Sequence, residues 1–266
     1  MSFIRVDREH PFCILILIDQ SGTMGETWRS QTNTSSKAVE VTTQVHRIMA
    51  EFVYAAEKEG KYRDYFHMGV IGYGGTVHSL LGQEILLPIS EVAHIAELAG
   101  PDKKKVLVWF YPLAEGSTPM CAAFKLAHNA LQTWVNEHAN CNPPFVFNIT
   151  DGESTDGDPT NIAKQIMELR TKYGNALLFN CHISSLGNDE VMFPATLPAP
   201  LKPIPYAERL FNISSIIPDD LRKEAEKYEM MIPQGGRGFI FNAKPENLTK
   251  FLEIGTVINR FMVPFK

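Results

Sequence analysis

Short oxygen-bearing side chains gather at three places in this sequence. Asp19-Gln20-Ser21-Gly22-Thr23 follows one unbroken apolar run, Gly116-Ser117-Thr118-Pro119 precedes a helical stretch, and Asp151-Gly152-Glu153 follows a second apolar run. Hydroxyls and carboxylates are hard ligands, the kind that Mg²⁺ or Mn²⁺ takes into a tight octahedral shell. These three clusters are therefore where a divalent cation could be held. Glu153, Asp156 and Asp158 crowd the last cluster, but DGESTDGDP has the composition of an exposed turn, and Asp158 to Thr160 can cap the helix that follows. None of the eight histidines pairs with another at metal-ligand spacing, and no Walker-type lysine or nucleophile elbow is present.

The elements around these clusters must bring them together. Residues 12 to 18, FCILILI, read as a strand buried on both faces. Ala38, Val41, Val45, Ile48, Phe52 and Ala55 then recur at steps of three and four, one helical stripe, with Thr34, Ser35 and Ser36 available as caps. HMGVIGYG (67–74) reads as a strand, and TVHSLL (76–81) after Gly74-Gly75 as its hairpin partner. A short helix near 90–99, a helix through Ala123 to Trp134, the strand 144–150, a helix over Ile162 to Leu169 and the strand 176–183 follow. This alternation predicts an α/β fold, a doubly wound, mainly parallel, Rossmann-like sheet with helices on both faces and one antiparallel edge strand. In such a sheet the functional crevice lies beyond the carboxyl ends of the strands, where all three clusters fall.

The chain of 266 residues is expected to form a single domain over 1–266, with a core about 10–185. The proline-rich segment 194–218 is expected to be an extended surface excursion, and a helix–strand–helix over 219–266 to complete the sheet. Trp28 is either an anchor for a partner beside the metal rim or packed on the domain itself. The balance of 25 Lys+Arg against 30 Asp+Glu argues against binding nucleic acid phosphates or an anionic membrane surface. The longest apolar run is too short to cross a bilayer and MSFIRVDREH lacks a secretory core, so a cytoplasmic location is expected. The four cysteines, without CxxC spacing, are expected to form neither disulfides nor a zinc site.

Asp19, Ser21, Thr23, Thr118 and Asp151, in this order and at these strand ends, resemble the metal-ion-dependent adhesion site (MIDAS) of von Willebrand factor type A (VWA) domains, Asp-x-Ser-x-Ser followed by a distant Thr and a distant Asp. Thr23 stands where Ser is commoner. The resemblance implies that Ser21, Thr23 and Thr118 hold a magnesium ion directly, while Asp19 and Asp151 act through water. It also implies a protein-binding module, not an enzyme, whose metal shell is completed by an Asp or Glu of a partner protein. FNISSIIPDDLRKEAEKYE and GGRGFIFN are similar to segments of bacterial intracellular VWA proteins associated with tellurium resistance and stress response. The competing reading is a haloacid-dehalogenase-like phosphatase, whose Asp-x-Asp-Gly-Thr motif DQSGT resembles. Asp19 would be its nucleophile, but Ser21 replaces the general acid.

Overall fold

The computed structural model describes residues 3–29, 34–101, 105–184 and 189–262. Its main sheet contains β1 (Phe12–Asp19), β2 (Phe66–Tyr73), β3 (Val77–Ser79), β4 (Phe145–Thr150), β5 (Leu177–Ile183), β6 (Val191–Met192) and β7 (Phe239–Ala243), in the spatial order β6-β7-β5-β4-β1-β2-β3. Leu87–Pro88 adds a short strand against β2. β1 lies parallel to both β2 and β4, β5 is parallel to β4 and β7, and β3 runs antiparallel to β2 at one edge. β6 is antiparallel at the other edge, so both edges carry a reversed strand. Successive parallel strands run outward from the β1–β4 pair in opposite directions, which makes that pair the topological switch point of a doubly wound α/β fold.

Seven α-helices flank this sheet among the described residues: α1 (Lys37–Ala56), α2 (Ile89–His94), α3 (Met120–Glu137), α4 (Thr160–Glu168), α5 (Pro205–Asn212), α6 (Asp219–Glu226) and α7 (Pro245–Met262). Alternate residues of β1 enter separate cores. Phe12, Ile14, Ile16 and Ile18 pack with α1, α2, α6 and α7, while Cys13, Leu15 and Leu17 pack with α3, α4 and α5. This is why β1 is apolar without alternation: a strand covered on both faces has no polar side. Ser36 caps α1, accepting from the Val39 amide at 3.3 Å.

A chain of hydrogen bonds crosses the second core. Tyr73 Oη donates to Asn148 Oδ1 (2.7 Å), Asn148 Nδ2 to Asn180 Oδ1 (3.0 Å), Asn180 Nδ2 to Ser214 Oγ (3.0 Å), and Ser214 Oγ to the Leu210 carbonyl (2.7 Å). All four side chains are buried.

Two expectations are corrected. Segment 194–218 is not an extended excursion: it holds a 3₁₀ turn (Ala199–Leu201) and α5, which buries Ala207, Leu210 and Phe211. Pro205 occupies the first turn of α5, where the missing amide hydrogen costs no bond. The helix near 90–99 stops at His94, and Glu97–Ala99 instead pairs with Val106–Val108 in a two-stranded ribbon. Of the two readings of Trp28, packing on the domain holds: the indole is 3% exposed and belongs to the core on the α1 side.

Candidate metal centre

Backbone hydrogen bonds tie the end of β1 to β2 and to the loop that carries Thr118. Gln20 N donates to the Tyr73 carbonyl (2.6 Å), Glu115 N to that of Gln20 (2.7 Å), and Gly22 N to that of Gly116 (3.1 Å). Gly116 has φ +78°, and a Cβ there would sit 2.5 Å from the backbone of Gly75. Glycine is therefore required for the loop carrying Thr118 to pass this close to the first motif.

Four of the five predicted residues are joined by hydrogen bonds. Asp19, the last residue of β1, accepts from Ser21 N at Oδ1 (2.8 Å) and from the Thr150 hydroxyl at Oδ2 (2.7 Å). Ser21 Oγ lies 3.2 Å from Thr23 Oγ1, which donates to Asp151 Oδ1 at 2.9 Å. Thr118 is brought in separately, by its amide donating to Thr155 Oγ1 (3.0 Å) and its carbonyl accepting from Thr155 N (3.0 Å). Among the described residues its hydroxyl has no hydrogen-bond partner although Thr118 is only 6% exposed. It faces the Asp151 loop, 3.9 Å from where a Cβ on Gly152 would stand.

Lys37, at the first position of α1, was not foreseen. It is 3% exposed, and its ammonium donates to Asp151 Oδ2 (2.8 Å), Glu26 Oε2 (2.8 Å) and the Thr23 carbonyl (3.3 Å). A lysine at a helix N-terminus opposes the helix dipole. That conflict is the one local signal that Lys37 has an acidic partner elsewhere.

Burial dominates the electrostatics of Asp19, pushing its carboxyl up to about 6 against the hydrogen bonds from Ser21 and Thr150, with the charge of Asp151 adding to the rise. Burial also works against the Lys37 ammonium, but Asp151 and Glu26 outweigh it and hold its pKa above the ordinary lysine value. Beside them, burial pushes His182 down to about 4.

The remaining acids of the third cluster are structural. Asp156 accepts from Cys121 N and Ala122 N, both at 2.9 Å, and so caps α3. Asp158 accepts from Thr160 N (2.9 Å) at the start of α4, and Glu153 pairs with Arg209 of α5 (3.0 Å).

No described cluster of three or more His, Cys, Asp or Glu side chains could hold a metal ion. A cation between β1 and β4 would thus rest largely on hydroxyls. The residues fit that role: the Ser21 and Thr23 hydroxyls stand together beside Asp151, the Thr118 hydroxyl, without a hydrogen-bond partner among the described residues, faces Gly152 of the same loop, and Asp19 is a buried carboxylate without a basic partner among the ion pairs of the described residues. A cleft of about 440 Å³ opens beside it, lined by Thr23, Glu26, Lys37, Asp151, His182 and Tyr206. A larger apolar groove of about 610 Å³ lies away from these residues, between α1 and the 105–112 segment. All four cysteines are free thiols, and no described helix is long and apolar enough to cross a membrane.

No protein-family profile matches the chain, and no curated protein matches it in sequence. Solved structures do match. Proximal thread matrix protein 1 from the mussel byssus is 13% identical with a TM-score of 0.50, over 94% of this chain and 47% of its own. A von Willebrand factor type A structure from Catenulispora acidiphila is 15% identical with a TM-score of 0.38, over 66% of this chain and 34% of its own. BatB from Bacteroides thetaiotaomicron is 15% identical with a TM-score of 0.39, over 65% and 66%. The chain spans less than two thirds of the length of each. At these identities the likeness reaches the fold and no further: this is a doubly wound α/β chain with the mussel protein as a structural neighbour.

Proposed function

We propose that the chain is a divalent-cation-dependent protein-binding module of the VWA type, in which Ser21, Thr23 and Thr118 hold Mg²⁺ or Mn²⁺, with Asp19 and Asp151 supplying charge. The observation that carries this reading is the hydrogen-bonded run from Asp19 through Ser21 and Thr23 to Asp151 at the switch point of the sheet, with the Thr118 hydroxyl facing Gly152 beside it. When bound, the cation supplies an electrophilic centre that accepts one further oxygen, and an Asp or Glu of a partner protein suits that position. The cleft beside Thr23 and Asp151 gives the partner room to approach, while His182 and Tyr206 on its wall select among partners. Four free thiols suit a reducing compartment, hence the cytoplasm. A role in a bacterial stress-response or signalling system, akin to tellurium resistance, follows from the resemblance of the C-terminal third alone.

The phosphatase reading is weaker. Asp19 is 0% exposed and both its oxygens are engaged, which opposes its use as a nucleophile, and Ser21 cannot serve as general acid. Calorimetric titration with Mg²⁺ tests the proposal: wild type should bind one ion, and Thr118→Ala and Asp151→Ala should bind weakly or not at all. Equal binding by all three refutes the site. Capture of a partner in Mg²⁺, lost in EDTA and by Asp151→Ala, tests the completing carboxylate; capture that survives both would move the interface elsewhere. Ca²⁺ should support capture less well, since it prefers a larger shell.

A further inference from the structure

The position of Lys37 deepens the metal reading and rests on it. Its ammonium is buried against one oxygen of Asp151, while the other oxygen of the same carboxylate receives the Thr23 hydroxyl. Lys37 is thus one carboxylate away from an oxygen proposed to hold the cation. The helix dipole and burial both oppose a lysine here, so its charge is retained by Asp151 and by Glu26, whose side chain is half-exposed and solvent-screened. Asp19 and Asp151 alone would neutralise a divalent ion. Counting only the buried groups, the Lys37 ammonium leaves the loaded site one positive charge in excess, which Glu26, paired with the same ammonium at 2.8 Å, offsets in part from its half-exposed, solvent-screened position.

We propose that Lys37 is a resident counter-cation that lowers the affinity of the site for Mg²⁺ and, by leaving the loaded site positive, makes a carboxylate the favoured completing ligand. Metal and partner then bind as a coupled pair, each weak without the other. The same arrangement rejects neutral partners, because only an anion removes the excess charge.

The test is Mg²⁺ calorimetry on wild type, Lys37→Gln and Lys37→Arg, with and without saturating acetate as the carboxylate probe. Gln keeps a donor for Asp151 Oδ2 but removes the charge, and should raise Mg²⁺ affinity by about tenfold or more, given the Coulomb repulsion between a unit and a divalent charge a few Å apart. Arg keeps the charge and should bind Mg²⁺ no more tightly than wild type. Acetate should raise the apparent Mg²⁺ affinity of wild type more than that of Lys37→Gln. Lys37→Gln binding Mg²⁺ no more tightly than a wild type that does bind it overturns the inference and leaves the metal site standing. A wild type that binds no Mg²⁺ overturns both. If Lys37→Gln does not fold, the side-chain resonance of Lys37 in lysine-labelled wild type, assigned with Lys37→Arg, gives the answer: Mg²⁺ should displace it, and an unshifted resonance at saturating metal refutes the proposal.

Discussion

Replacing Asp19 by Asn should stabilise the metal-free protein. The carboxyl is raised from 3.8 to about 6 by burial, so the folded state disfavours its ionised form. A folded pKa above the unfolded one means that the penalty is absent below pH 3.8, grows as pH rises, and is fully present above about 6. Two pKa units correspond to about 3 kcal/mol. Asn can replace the protonated acid without new orphans: its Oδ1 still accepts from Ser21 N, and its amide can donate to Thr150 Oγ1 if that hydroxyl turns to the Gly152 carbonyl 3.1 Å away. In EDTA at pH 7.5, Asp19→Asn should therefore melt roughly 6–12 °C above wild type in a chain of this size. At pH 4 the two should melt nearly together. Mg²⁺ should raise the melting temperature of wild type and leave the variant unmoved. A variant in EDTA no more stable than wild type at pH 7.5, or equally stabilised at pH 4, would refute the idea that Asp19 is an uncompensated buried charge.

His182 gives the opposite sign: burial pushes it down to about 4, so its contribution is complete above the unfolded value near 6.5 and is lost as pH falls toward 4. The acid slope of stability over that window should be shallower in His182→Gln, measured by urea melts across pH, and an unchanged slope would exclude His182 as its source. Asp156→Ala should cost about 1–2 kcal/mol through loss of the α3 cap, with Mg²⁺ affinity by calorimetry unchanged; altered affinity would draw Asp156 into the metal centre. Trp28→Ala should cost about 3–5 kcal/mol in urea unfolding because the indole is core, whereas a surface anchor would leave stability intact.

The central strands were legible because FCILILI is apolar on both faces and PFVFNIT is interrupted only by Asn148 and Thr150, and a run of that length between polar turns has few other structures open to it. That Asp19, Ser21, Thr23 and Asp151 stand together was legible for the same reason, since residues that follow buried parallel strands share one sheet edge wherever they stand in the chain, whereas Thr118 follows no strand of the main sheet. Lys37 escaped because its meaning depends on Asp151, 114 positions away, and a lysine in a helix is ordinary unless the partner is known. Trp28 was ambiguous since a loop aromatic carries no periodicity to say which side it faces. Segment 194–218 misled through its prolines, which mark helix starts as readily as extended chain; only the burial of Leu210 and Phe211 separates the two.

The hydrogen-bonded chain from Tyr73 through Asn148 and Asn180 to Ser214 also acts as a register key. A strand that is apolar on both faces carries no pattern of its own to tell one alignment with its neighbour from the next, since sliding it by one residue exchanges one greasy face for another. The amides of Asn148 and Asn180 end that degeneracy. A slip of β4 by one residue turns Asn148 toward the aromatic side of the sheet, and a slip of two carries it about 6.6 Å past its partners. Either leaves buried amide groups without hydrogen bonds, at a cost that apolar packing does not recover. Because β4 ends at Thr150, immediately before Asp151, the polar chain that fixes its alignment also fixes where that carboxylate stands opposite Asp19.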